Sequence, residues 1–389
     1  MTLHYHPRER YYGTQVTDKR LFDVARGSPL IPLLQRRLAG RDFLSLHSVA
    51  AAAQPFIVAL LAELAARPVL VVSDGTKTQE AFLADLQTFV PTALPFPAWE
   101  TLPHEDILPN EQTIADRLRV LTRFAQEQAD PTPPLVVAPV QALLQRTLAP
   151  ALFRRERLSL TVGQALERDA LVAMLSERGY APQVQVGEPG DMALRGGLVD
   201  FFPLDASAPV RVEFNGDQLE SLRTFDPVTQ QSREHLPRFE CTAAGEIGLL
   251  RKSPDQSASL AAFLPADTLL VQVEPDTLAP AAAAYAQRVP ANDPFFVPWT
   301  HWEQAAFPRV HLAETPAPAE TPATPDLQVT SLEALRPPAT RLADPEIAEL
   351  SRRQFFDQLL RWAAAGHSLF AFCDTTGEKE RFEIGRAHV

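Results

Sequence analysis

Two arginines, Arg195 and Arg211, lie in the one stretch of this chain whose turns can be read residue by residue. The run is Gly190-Asp-Met-Ala-Leu-Arg195-Gly196-Gly197-Leu-Val-Asp200-Phe-Phe-Pro203, followed by Val210-Arg-Val-Glu-Phe214 and Asn215-Gly216. A guanidinium is planar, permanently charged and able to hold a carboxylate through two parallel N–H donors. The glycine pair permits a tight bend and leaves Arg195 at the edge of a stiff strand. Period-two alternation puts Arg211 and Glu213 on one face of their strand and Phe214 on the other. Two readings fit. Arg211 and Glu213 form an ion pair that serves the module itself, or the arginines anchor a protein-docking patch. Neither reading needs a nucleophile, a general base or a metal.

Other candidate sites are weaker. A phosphate-binding loop needs glycines whose backbone N–H groups converge on phosphate, plus a lysine and a Ser/Thr. The expected place holds Leu46-His-Ser-Val-Ala-Ala-Ala-Ala-Gln54, with no glycine between Gly40 and Gly75 and no lysine between Lys19 and Lys77. Asp74-Gly-Thr-Lys-Thr78 lacks the first glycine and the Gly-Lys adjacency. His104, Glu105 and Asp106 could suggest a metal, but Pro97, Pro103 and Pro109 argue for a rigid loop. His47 reads as a strand-end residue. No catalytic residue, cofactor or metal site is expected within this chain.

The elements that must carry the arginines form an α+β module over residues 155–244. A helix from Gln164 presents Leu171, Val172 and Leu175 and stops at Gly179. Strands are expected near Gln183–Val186, Leu198–Phe202 and Val210–Phe214. Asn215-Gly216 is expected as a type I′ turn with a return strand from Leu219 to Phe225. Around the module the pattern alternates short apolar runs with helical ones, as βαβ units do. Strands are expected at Phe43–Leu46, Val69–Val72, Leu135–Ala138 and Thr268–Val273. Helices are expected over Val49–Leu64 (stripe Phe56, Ile57, Leu60, Leu61, Leu64), after a Thr76/Gln79 capping box, after Asn110, and in a short piece to Leu148.

Residues 1–27 read as a polar arm, 28–154 and 245–312 as two parts of one α/β domain, and 313–327 as a Pro-rich linker. Residues 328–383 read as a truncated α/β piece: a helical stripe through Ile347, Leu350, Phe356, Leu359, Leu360 and Ala363, Gly366 as its stop, then a strand Leu369–Phe372. The end, Glu383-Ile-Gly-Arg-Ala-His-Val389, resembles translated sequencing-adapter sequence, and 384–389 are set aside as an artefact.

Composition bounds the function. The chain has 389 residues, 46% hydrophobic and 22% charged, which suits several globular domains. A net charge of −12 disfavours contact with phosphate backbones except through a local basic patch, and none dominates. Cys241 and Cys373 form no zinc spacing or disulfide framework. The N-terminal residues look like neither a signal peptide nor a membrane span, so a cytoplasmic protein with no membrane partner is expected.

The run 180–232, with Arg-Gly-Gly-Leu-Val-Asp-Phe-Phe-Pro, Arg-Val-Glu-Phe and Glu220-Ser-Leu-Arg-Thr-Phe-Asp226, resembles the interaction domain of bacterial nucleotide excision repair. That domain is shared by the excinuclease component UvrB and the transcription-repair coupling factors (the Mfd family). Trp99-Glu-Thr-Leu-Pro103 and Ile114-Ala-Asp-Arg-Leu118 look specifically like the coupling factors. UvrB would show an intact phosphate loop and a tyrosine-rich hairpin, whereas no tyrosine lies between Tyr12 and Tyr180.

The resemblance implies a degenerate helicase-like (RecA-like) parallel-sheet domain with an inserted UvrB-interaction module, then the truncated fragment. It implies transcription-coupled DNA repair, with the module docking the excinuclease A subunit (UvrA). It also implies RNA polymerase and DNA as partners through domains outside this chain. ATP and Mg belong to the intact protein, an ATP-dependent translocase, and a monomer is expected. Arg195, Arg211, Glu213 and Phe214 map to the docking positions, while Asn215 stands where the family usually has a second phenylalanine. The alternatives are an α/β nucleotide hydrolase using the Ser48–Gln54 loop, or a truncated UvrB.

Overall fold

A computed structural model describes residues 19–40, 43–101, 109–125, 132–242, 246–317, 326–332, 345–373 and 375–387. They group into two compact units, one drawn from 1–66, 81–93 and 308–389, the other from 67–80 and 94–307. This division cuts across the α/β domain expected from sequence.

In the first unit three parallel strands run in the order Asp326–Val329, Leu44–Val49, Arg309–Leu312. The helix Gln54–Ala65 follows a 3-10 turn, Ala51–Ala53. Its run Ile57–Leu61 is buried on all sides, a wider face than the expected stripe. The polar arm needs correction. Lys19–Arg26 is a helix that buries Phe22 against Phe56, ring centroids 5.4 Å apart, and a second helix spans Ile31–Ala39. Residues 1–18 lie outside the described residues. The linker is also shorter than expected, because Asp326–Val329 pairs with the first strand. The helix Pro345–Ala364 ends as expected before Gly366, whose φ of +89° suits glycine alone. Leu369–Phe372 carries no strand, since among the described residues no neighbour offers it a ladder. A final helix, Thr376–Ala387, runs into the segment set aside as adapter-like.

In the second unit four parallel strands run in the order Leu269–Val273, Val69–Ser73, Leu135–Pro139, Leu94–Pro95. The first three are buried along their whole length, as continuous apolar runs require when both faces of a sheet are covered. Asn110 caps the helix Glu111–Ala125: its side-chain oxygen accepts the Gln112 N–H at 2.8 Å. Trp302, 1% exposed, donates its indole N–H to the Leu143 carbonyl at 2.8 Å. The Thr76/Gln79 capping box does not form. The helix already includes Thr76, and Gln79 is buried, donating instead to the Val137 carbonyl at 2.9 Å. The short piece before Leu148 is helical only over Val140–Leu143, then becomes the strand Thr147–Leu148.

The module belongs to this second unit. Its helix Arg168–Glu177 buries Leu171 and Leu175 and stops at Gly179, φ +90°. Its antiparallel neighbours Arg157–Thr161 and Arg238–Thr242 form the two chain crossings into it. The main sheet has six strands in the order Ser232–His235, Gln218–Phe225, Val210–Asn215, Leu198–Phe201, Asp191–Arg195, Ala181–Pro182. The strand expected at Gln183–Val186 is displaced. Ala181–Pro182 pairs with Asp191–Arg195, and 183–190 is a loop. Beneath the sheet Met192, Val199, Phe201, Val210, Val212, Leu219 and Leu222 make one core with the helix.

Candidate functional site

Arg195 closes a strand whose hairpin partner begins at Leu198, so Gly196 and Gly197 are the two turn residues. Gly196 has φ +59°, which puts the left-handed residue first in the turn, the type II′ pattern. A Cβ on Gly197 would sit 3.2 Å from the Phe214 carbonyl, and the Phe214 N–H already donates to the Gly197 carbonyl at 2.9 Å. Gly196 thus supplies the left-handed dihedral of the turn, and Gly197 a close approach of the two backbones. They hold Arg195 out at the strand end, where it is exposed and donates one guanidinium N–H to the Val184 carbonyl at 3.0 Å. Among the described residues no carboxylate pairs with it.

Arg211 is different. It lies in register with Asp200 on the neighbouring strand and binds it bidentately, Nε to Oδ1 and Nη2 to Oδ2, both 2.8 Å. Asp200 is 1% exposed and the Arg211 side chain 13%. The guanidinium carbon also stacks 4.6 Å above the Phe225 ring. The Asp200 hydrogen bond raises the Arg211 pKa further, against the opposing effect of burial. The expected Arg211–Glu213 ion pair does not form. Glu213 instead accepts the Ser221 hydroxyl at 2.9 Å and pairs with Arg223. Asp200–Arg211 and the diagonal Glu213–Arg223 are thus two ion pairs spread over three adjacent strands on the outer face.

Two assignments need correction. Phe214, 8% exposed, belongs to the core beneath the sheet, because alternation turns it away from Arg211 and Glu213. Asn215 is not a turn residue. It pairs with Gln218 as the last residue of its strand, so the hairpin turns on Gly216 and Asp217, with Gly216 at φ +61°. The pairing absorbs the one-residue shift in a bulge, where Glu213 opposes Ser221 and Phe214 opposes Leu219. Asn215 is exposed at that tip.

The segment expected to lack a phosphate cradle is occupied by the chain itself. Gln54 is buried and donates to the Val49 carbonyl at 3.2 Å. The Ser48, Val49 and Ala50 N–H groups go to the Thr315, Ala313 and Val329 carbonyls. The Ala51 N–H meets the Glu314 carboxylate at 3.3 Å. His47 contacts the Ser45 hydroxyl at 2.7 Å. Residues 102–108, with His104, Glu105 and Asp106, lie outside the described residues.

Sequence reasoning missed what Arg117 does. It is fully buried and bidentate to Glu246, Nε to Oε2 at 2.9 Å and Nη2 to Oε1 at 3.1 Å, with Nη1 donating to the Pro97 carbonyl. Its guanidinium carbon lies 4.3 Å from the Phe96 ring centre and 4.2 Å from that of Trp99. The signal was present, since Trp99 and Arg117 both fall in the coupling-factor-like stretches. Asp205 was missed as well. One of its oxygens accepts the Thr122 hydroxyl and the Thr242 N–H, both at 2.9 Å, tying the module to the helix Glu111–Ala125. Burial pushes its carboxyl pKa up despite these two bonds, and pushes the neighbouring Tyr180 and Cys241 up too. Among the described residues no three His, Cys, Asp or Glu side chains converge as a metal site. No described helix is long and apolar enough to cross a membrane.

Residues 158–246 match the family model described as the UvrB interaction domain. The chain is 36% identical over 258 residues to the transcription-repair-coupling factor of Mycobacterium bovis, covering 63% of this chain and 20% of that protein. It is 30% identical over 203 residues to the Escherichia coli factor of the same name, covering 52% of this chain and 17% of that one. With the Bacillus subtilis factor it shares 28% identity over 205 residues, at the same two coverages. The matched region is about a fifth of the length of these relatives. The chain thus carries a UvrB interaction domain and, over the portion matched, is similar to the transcription-repair-coupling factors.

Proposed function

We propose that this chain is the recruiting part of a transcription-coupled repair factor, and that its module docks the excinuclease protein UvrA. The observation that carries this reading is Arg195. It is an exposed guanidinium without a carboxylate partner among the described residues, fixed at a glycine-framed hairpin tip inside the UvrB interaction domain. Arginine is among the residues enriched at interface hot spots, and the hairpin that presents this one is already ordered before binding. Arg211 and Glu213 complete the outer face as part of a pre-set charge pattern.

In the longer relatives' architecture, RNA polymerase, DNA, ATP and Mg would be engaged by parts outside this chain, and the whole would act as an ATP-dependent translocase. The parallel-sheet region here is a helicase-like core. Its would-be phosphate loop is satisfied by Gln54, Glu314 and backbone carbonyls, which favours a binding role over the nucleotide-hydrolase alternative.

Calorimetric titration with UvrA tests the proposal. Arg195→Ala should weaken binding by about 2 kcal/mol, roughly thirtyfold, with the fold unchanged. Unchanged affinity would reject the docking role, and saturable binding of Mg-ATP to this chain would move the reading to the hydrolase.

A further inference from the structure

Asn215 leaves the outer tip of the module polar where the resemblance leads one to expect an aromatic contact. Interface hot spots combine a charged fork with adjoining apolar area that excludes water. The structure offers such area beside Arg195. Val184 is 92% exposed, the most exposed large apolar side chain among the described residues, and its own carbonyl accepts the Arg195 guanidinium at 3.0 Å.

Its loop is pinned on both sides. The Gln183 N–H donates to the Met192 carbonyl at 2.7 Å, and Val186 is fully buried against Ala193, Phe202 and Phe225. The Gly187 and Glu188 N–H groups both bind the Asp191 carboxylate, at 3.0 and 2.9 Å, and Gln230 donates to the Val186 carbonyl at 3.0 Å. A pinned β-branched side chain loses little freedom when covered.

Resting on the docking role of Arg195, we propose that Val184 is the apolar half of the same contact. It replaces the missing aromatic side chain, and it fits a partner surface that sets a carboxylate beside an apolar side chain. The carboxylate would take the donors of Arg195 that Val184 leaves free, and the apolar neighbour would cover the valine.

Val228 supplies an internal control. It is 86% exposed, but lies in the connection between Gln218–Phe225 and Ser232–His235, at the opposite end of the strands from both hairpin tips. The whole chain, with Val184→Ser, Val184→Ile, Val228→Ser and Arg195→Ala variants, is titrated calorimetrically with UvrA. Val184→Ser should weaken binding about tenfold, with Val184→Ile and Val228→Ser staying within about twofold of the parent. If Val184→Ser binds like the parent while Arg195→Ala is weakened, the valine has no part in the contact and the arginine's role stands. If Val228→Ser falls as far as Val184→Ser, the effect is not local and the proposal is overturned. If Arg195→Ala also binds like the parent, the docking reading fails first and this one with it.

Discussion

Arg117 and Arg195 carry the same group in opposite settings. Arg117 is sealed between two aromatic rings and bonded to Glu246 and a carbonyl, so its charge is consumed by the fold. Arg195 gives one donor to a loop carbonyl and turns the rest to solvent. Arg211 stands between them, fully forked onto Asp200 yet lying on the outer face. Residue type alone does not separate structure from recognition here. What separates them is whether a carboxylate sits in register with the guanidinium. Asp200 opposes Arg211 across the ladder, whereas Arg195 opposes Leu198.

The contrast can be broken most sharply at Arg117. Arg117→Met leaves Glu246 charged and buried without its partner and should cost about 3–5 kcal/mol in chemical denaturation. Adding Glu246→Leu should return much of that loss, because an apolar pair of similar volume removes the stranded charge. Loss of less than about 1 kcal/mol in the single variant would show the pair to be dispensable.

At Arg211 the same logic predicts a smaller stability effect. Arg211→Ala strands Asp200, which is 1% exposed, and should cost about 2 kcal/mol, while Arg195→Ala should stay within about 0.5 kcal/mol of the parent. Equal effects at the two positions would erase the distinction drawn between them.

The mildest effect is expected at Asp205. Its folded pKa is raised by burial, so the native state holds a proton that the unfolded chain releases. Stability therefore falls as pH rises from the ordinary carboxylate range through the raised value, and it is greater below that window. Asp205→Asn should flatten this slope in denaturation curves taken across the acid range. A slope unchanged in the variant would assign the dependence elsewhere.

Much of this was legible from residue order. Long apolar strands such as Val69–Ser73 and Leu135–Pro139 are readable because a sheet covered on both faces admits little else. The glycine-framed tip at Arg195 is readable from Gly196-Gly197. The Asn215-Gly216 turn slips by one residue, since Gly216 also suits the first position of a II′ turn and a bulge opposite Glu213 and Phe214 absorbs the shift. The capping box fails because Gln79 finds a buried carbonyl 58 residues away, a partner that no local pattern reveals. The Asp200–Arg211 fork is hidden for a related reason. It depends on cross-strand register, whereas alternation along one strand matches Arg211 only with Glu213.

The Glu314 carboxylate rests against the Ala51 N–H, so the turn before the helix Gln54–Ala65 is complete in the absence of any visitor. Admitting an anion to this turn would first require evicting the resident acid. Two segments more than 260 residues apart in sequence, 263 by the spacing of this contact, would have to be rewritten together.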